Sequence, residues 1–307
     1  MERWETELKP LLPAQVKEVL DGITERDRLL EIRLRAGRPM ELVTAERDRL
    51  IYAPGGAPML GEDDFERIVA QLCEHSIYAW EHELSEGFLT IAGGYRVGIA
   101  GRAIRTDSGV RYTAVRGLCI RIVRECIGAG KTLLPLLVSA GTLCSTLLIS
   151  PPGCGKTTLL RDLIRLVSDG TDEVKPHRVC AADERFELCG SADGRCAFDL
   201  GARTDIVSGI AKQDALLRML AALSPQVLAT DELHTAEDAA AIDRASACGV
   251  TVLATAHAGS MQELRRRKPM RKLLEDGTFQ RIVRIRNDPV GRVAFVADAE
   301  GTILWEE

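Results

Sequence analysis

Leu147-Leu148-Ile149-Ser150-Pro151-Pro152-Gly153-Cys154-Gly155-Lys156-Thr157-Thr158 is an apolar run, a turn rich in Pro and Gly, and the opening of a helix. A phosphate-binding loop needs that order. Glycines let the backbone curl its N–H groups around phosphate oxygens, and the helix N-terminus adds the positive end of its dipole. Lys156 is placed to reach the β- and γ-phosphates, and the Thr157 hydroxyl to ligate Mg²⁺. Ser150 stands where the usual G-x-x-x-x-G-K-[ST] pattern has its first glycine. Serine also begins tight turns, so the match survives. Ser150 through Thr158 are therefore the candidate nucleotide-binding residues.

Two later apolar runs end in groups that suit the same chemistry. Gln226-Val227-Leu228-Ala229-Thr230-Asp231-Glu232 delivers paired carboxylates at the end of a buried strand. Asp231 suits the Mg²⁺ and Glu232 suits polarising the attacking water. Val250 through Ala258 places Thr255 and His257 at the end of another strand, the edge where ligands bind in parallel α/β sheets. His257 there can sense the γ-phosphate. A third strand, Arg178 to Asp183, ends in Glu184 and Arg185, and Glu184 can orient water or Mg²⁺. Arg203 is a candidate for coupling the site to a neighbour.

These segments resemble the secretion and type IV pilus motor ATPases, and within them the stage III sporulation protein AA family. The resemblance rests on Lys156 to Asp162, Asp183-Glu184-Arg185, Gly201 to Asp205, Thr230 to Glu232 and Ala254 to Ala258. Upstream it rests on Glu31 to Pro39, Gly93 to Arg102 and Cys119 to Glu125. It implies an α/β fold, with a RecA-like P-loop ATPase domain (128–307) and a smaller α+β N-terminal domain (1–127). It also implies ATP and Mg²⁺ as cofactors, a hexameric ring, and a membrane protein of a secretion or sporulation channel as partner. That channel would join mother cell and forespore. Arginines of the N-terminal domain would approach the nucleotide at a junction. Arg96, Arg102, Arg105, Arg121 and Arg124 are the candidates, with Arg102 and Arg121 preferred. Alternation along a strand puts Arg96 and Arg102 on one face.

Composition agrees with a globular protein. The 307 residues carry 46% apolar and 28% charged side chains at net charge −5, an ordinary balance with no broad basic face for nucleic acid. No apolar stretch is long enough to span a membrane, and the acidic N-terminus, without an apolar core, is not expected to act as a signal peptide. Nine cysteines without a C-x-x-C pair fit reduced thiols in a cytoplasm, and Cys154 is expected to react with thiol reagents. Recruitment to the inner face of the membrane is an expectation, with the basic cluster Arg265-Arg266-Arg267-Lys268 and Arg271-Lys272 available for contact. Two other function classes stay open. One is a nucleic-acid-dependent RecA-type motor, against which the 4% aromatic content stands. The other is a nucleotide-gated assembly switch with little turnover.

Periodicity predicts helices over Pro10–Leu20, from Asp63 to Cys73 with an Asp63/Glu66 capping box, and over Lys131–Ser139, Thr157–Val167, Asp214–Ala222, Ala236–Cys248 and Met261–Lys268. Pro269 is expected to stop the last. Strands are predicted at Leu29–Leu34, Glu41–Val43, Phe88–Ile91, Tyr95–Ile104, Tyr112–Ile122, Arg281–Arg286, Arg292–Ala297 and Thr302–Trp305. Turns are predicted at Tyr52–Pro58, Gly93-Gly94 and Asp107-Ser108-Gly109.

Overall fold

The computed structural model describes residues 2–44, 46–53, 60–73, 84–91, 93–106, 109–190, 196–287 and 290–307. The turns expected at Tyr52–Pro58 and Asp107-Ser108-Gly109 lie largely outside them. Two compact units follow, the first running to Arg124 and the second from Glu125, with Gly190 grouped with the first.

The first unit is an antiparallel sheet with helices on one face. Its strands are β1 (Leu29–Arg35), β2 (Met40–Thr44), β3 (Asp48–Ile51), β4 (Phe88–Ile91), β5 (Tyr95–Thr106) and β6 (Gly109–Arg121), in the order β3-β2-β1-β6-β5-β4. In β1 alternation buries Ile32 and Leu34, and Leu29 is buried across a register shift before Glu31. These pack with Trp4 of α1 (Arg3–Glu7), Val16 and Leu20 of α2 (Ala14–Asp21) and Phe65 and Ile68 of α3 (Glu62–Leu72). The expected helix over Pro10–Leu20 is divided, because a 3₁₀ turn (Lys9–Leu11) precedes Pro13 and α2 begins after that proline. The capping box of α3 also falls elsewhere: Gly61 is the N-cap, and its N–H donates to the Asp64 carboxylate at 2.8 Å.

The second unit is a three-layer α/β/α sandwich. Strands β9 (Thr146–Ser150), β10 (Val179–Asp183), β11 (Thr204–Ser208), β12 (Val227–Thr230), β13 (Thr251–His257) and β14 (Arg281–Asn287) pair in parallel in the order β11-β10-β12-β13-β9-β14. Then β15 (Val290–Ala297) and β16 (Ile303–Glu306) extend the sheet antiparallel. Both faces of β9 are buried, as a central parallel strand requires. Leu148 packs with Leu160, Leu163 and Ile164 of α4 (Lys156–Asp169). Leu147 and Ile149 belong to the opposite layer, with α5 (Lys212–Ala222), α6 (Ala236–Ala247), α7 (Met261–Arg266) and α8 (Lys268–Glu275).

Two expectations fail here for reasons of proline chemistry. The stretch 131–139 forms turns and a 3₁₀ segment (Leu134–Leu137), then pairs β7 (Val138–Ser139) with β8 (Thr142–Leu143). Pro135 supplies no N–H to continue a helix. Pro269 does not end the chain's last helical region: it occupies the first turn of α8, where its missing N–H costs nothing. Among the described residues no helix is long and apolar enough to cross a membrane.

Candidate nucleotide site

Parallel pairing brings four strand ends together. β9 and β13 are neighbours with Ser150 opposite His257, and β12 lies beyond β13 with Thr230 opposite Ala254. The loop after β9, Asp231 and Glu232 after β12, and His257 thus share the C-terminal edge of the sheet. Asp183 ends β10 beside β12.

The loop turns on two glycines in left-handed conformations, Gly153 (φ 77°) and Gly155 (φ 86°). At Gly155 an added Cβ would also meet the Cα of Gly291 at 3.3 Å. Gly155 caps α4, so the first-turn amides, which have no intrahelical acceptors, point toward the loop. Lys156 opens the helix and is buried. Its ammonium donates to the carbonyls of Ser150 (3.1 Å) and Pro151 (2.9 Å) and to Ser150 Oγ (3.1 Å). Burial holds its pKa below the usual lysine value, against the pull of Asp231. Cys154 is fully buried with Sγ against the Pro152 carbonyl, so it is not the open thiol expected.

Asp231 is the hub. Thr157 Oγ1 donates to its Oδ2 at 2.7 Å, Thr255 Oγ1 donates to Oδ1, and the Glu232 N–H reaches Oδ1 at 3.0 Å. Glu232 itself adopts φ +49°, a conformation that costs a non-glycine residue about 1–3 kcal/mol unless its surroundings hold it. Its carboxylate lies 3.4 Å from His257 Nε2 and 3.3 Å from Arg185 Nη1. Asp183 accepts from the amides of Glu187 (2.8 Å), Leu188 (3.0 Å) and Cys189 (2.7 Å). Burial pushes its carboxyl up, while those amides act the other way.

Ser150, Lys156, Thr157, Asp231, Glu232 and His257 therefore meet at one edge. Glu184 stands beside them, 3.6 Å from Lys212. Thr158 is half-buried on α4 and lines a small cavity with Arg161 and Asp162, while Pro151 and Pro152 are exposed in the loop. Arg102 and Arg121 belong to the first unit. Arg102 is exposed on β5 opposite Ala114, and Arg121 ends β6 with Nε 3.8 Å from Glu31. Arg124 donates to the Leu29 carbonyl at 2.9 Å, and Arg96 lies 3.9 Å over the Phe88 ring. Arg203 is bound to the end of α4 through Ser168. The basic cluster is partly spent internally, with Arg267 on Glu263, Lys272 on Asp243 and Arg265 on the Glu300 carbonyl.

Three side chains were given no role in the sequence reading. Arg185 was visible as the third member of the Asp183-Glu184-Arg185 turn. Lys212, buried at the start of α5, donates to the Glu232 carbonyl at 2.6 Å and carries no motif. Asp162 accepts from the amides of Gly128 (3.0 Å) and Gly130 (2.7 Å), anchoring the segment that follows the unit boundary to α4.

The donor set fits a nucleotide with Mg²⁺. Mg²⁺ is usually held by one or two protein oxygens together with substrate phosphates and water, and Thr157 and Asp231 offer such a pair. Among the described residues no group of three or more His, Cys, Asp or Glu forms a metal cage.

Comparison with known proteins agrees with this architecture. Residues 2–304 match the family described as Sporulation stage III, protein AA. The chain is 35% identical over 302 residues to the Stage III sporulation protein AA of Bacillus subtilis (strain 168), covering 97% of this chain and 96% of that protein. It is 29% identical over 167 residues to the uncharacterized protein ycf45 of Cyanidium caldarium, covering 53% of this chain and 47% of that one. Among solved structures, the Legionella pneumophila ATPase DotB aligns with TM-score 0.60 at 15% identity, over 89% of this chain and 76% of DotB. The pilus retraction motor PilT with bound ADP aligns with TM-score 0.58 at 16% identity, over 90% of this chain and 78% of PilT. The fold is thus that of the RecA-like secretion ATPases with an N-terminal domain. The chain belongs to the sporulation stage III protein AA family.

Proposed function

We propose that the protein is an Mg²⁺-dependent ATPase that powers a membrane-embedded assembly, the channel between mother cell and forespore. The observation that carries the ATPase part of this reading is the contact of Thr157 with Asp231 at 2.7 Å, which ties the residue after Lys156 to the residue before Glu232. When bound, Mg²⁺ neutralises charge on the β- and γ-phosphate oxygens. The loop from Ser150 to Thr158 binds the phosphates through backbone amides, and the Lys156 ammonium leaves its carbonyl partners for phosphate oxygens. Glu232 polarises the water that attacks the γ-phosphorus, and Arg185 and His257 orient its carboxylate. His257, 3.0 Å from Lys156 and 3.4 Å from Glu232, reports the γ-phosphate to both. Glu184 assists in orienting water.

In this reading the protein works as a hexamer. Residues 1–127 act as the N-terminal domain and 128–307 as the motor, with Arg102 and Arg121 acting on nucleotide at a subunit junction. It is cytoplasmic and recruited to the membrane by its channel partner, with Arg265 to Lys272 facing anionic lipid. No stable nucleic-acid partner is needed. The test is hydrolysis of Mg-ATP by the purified protein, with and without EDTA, beside a Lys156→Ala variant. Phosphate release that needs both Mg²⁺ and Lys156 supports the reading. ATP-dependent assembly without phosphate release would favour the switch.

A further inference from the structure

Lys212 is 4% exposed and carries its ammonium in the first turn of an eleven-residue helix. That is the end of a helix where its dipole disfavours a cation, and a buried ammonium needs partners. The ammonium has two: the Glu232 carbonyl at 2.6 Å and the Glu184 carboxylate at 3.6 Å. Glu232 is also the residue in this site with a left-handed backbone that is not glycine. Each of its main-chain polar groups is gripped. The N–H donates to Thr255 Oγ1 (2.8 Å) and Asp231 Oδ1 (3.0 Å), and the carbonyl faces Lys212 and His234 Nδ1 (3.0 Å). Beside these groups is a cavity of about 20 Å³ lined by Glu184, Arg185, Lys212, Asp231 and Glu232. One water needs roughly 10–15 Å³.

We propose that Lys212 is a positioning residue that holds Glu232 in its left-handed conformation and draws Glu184 beside it, so that both carboxylates face a cavity for one water. The proposal rests on the reading of Glu232 as the group that polarises the attacking water. It assigns to α5 a task in the site that no sequence motif marks. Lys212 acts through the main chain of Glu232 and does not touch the phosphates, so its loss separates turnover from binding.

The experiment compares wild type, Lys212→Met, Lys212→Arg and Glu232→Gln for Mg-ATP turnover and for equilibrium binding of a fluorescent ATP analogue. Lys212→Met is expected to lose about tenfold to a hundredfold in kcat with affinity within about threefold, and Lys212→Arg to recover part of the loss. Wild-type turnover in Lys212→Met beside a dead Glu232→Gln would overturn the proposal while sparing the role of Glu232. So would affinity falling in parallel with kcat. Wild-type turnover in Glu232→Gln would instead remove the reading on which it rests. A second measurement does not depend on activity. Glycine adopts a left-handed backbone unaided, so the drop in Tm caused by Lys212→Met should at least halve in a Glu232→Gly background. Equal drops in both backgrounds would refute the holding role.

Discussion

Nδ1 of His257 lies 3.0 Å from the Lys156 ammonium. An ammonium only donates, so Nδ1 is the acceptor and the ring proton sits on Nε2, 3.4 Å from Glu232 Oε1. The His257 imidazole therefore joins the candidate phosphate-binding lysine to the candidate water-polarising carboxylate. β13 makes this possible by placing His257 opposite Ser150.

Breaking that link should cost turnover more than binding. His257→Ala is expected to lower kcat by about tenfold to a thousandfold and to change Mg-ATP affinity by less than about threefold. Steady-state kinetics beside equilibrium binding checks it.

The loop's shape depends on Gly155. At φ 86°, with Gly291 Cα 3.3 Å from an added Cβ, Gly155→Ala is expected to destabilise the protein by about 1–3 kcal/mol. It should also abolish nucleotide binding. Denaturant melts and a binding titration report the two effects separately.

Asp162 tests the anchoring of the segment after the unit boundary. Asp162→Ala leaves the amides of Gly128 and Gly130 without their acceptor and frees Arg165 from a 2.7 Å ion pair. A loss of about 2–5 kcal/mol is expected, read as a lowered denaturation midpoint.

The lowered pKa of Lys156 has a stability signature with a definite sign. Unfolded, the side chain keeps its proton to the ordinary value of 10.5; folded, burial releases it earlier. Between the two values the unfolded chain binds more protons, so stability rises with pH across that window. Below both values the native state bears the full cost of the buried charge. Lys156→Met should flatten this part of the stability–pH curve relative to wild type.

The site was largely legible because its residues end apolar runs. Ser150, Asp231, Glu232 and His257 each close a buried strand, and a parallel sheet gathers such ends at one edge. What escaped depends on tertiary contact or on proline. Lys212 is twenty residues from the carbonyl it binds, and nothing local marks a lysine in a first helical turn. β3 and β11 lie at sheet edges and alternate weakly, with Asp48-Arg49-Leu50-Ile51 and Thr204-Asp205-Ile206-Val207-Ser208 giving no continuous apolar run. Pro135 kept the helix that periodicity favoured from forming, leaving a 3₁₀ segment with the proline in its first turn, and Pro269 began a helix it was expected to end, because proline is excluded from helix interiors but fits the first turn.

The most direct test of the central claim is the fate of ATP on Glu232→Gln. The variant keeps the loop, Lys156 and Asp231, so it should bind Mg-ATP as wild type does and retain it uncleaved, with turnover at least a hundredfold lower. Rapid quench and chromatography of the bound nucleotide would then find ATP where wild type holds ADP. Bound ADP formed by Glu232→Gln at the wild-type rate would contradict the account.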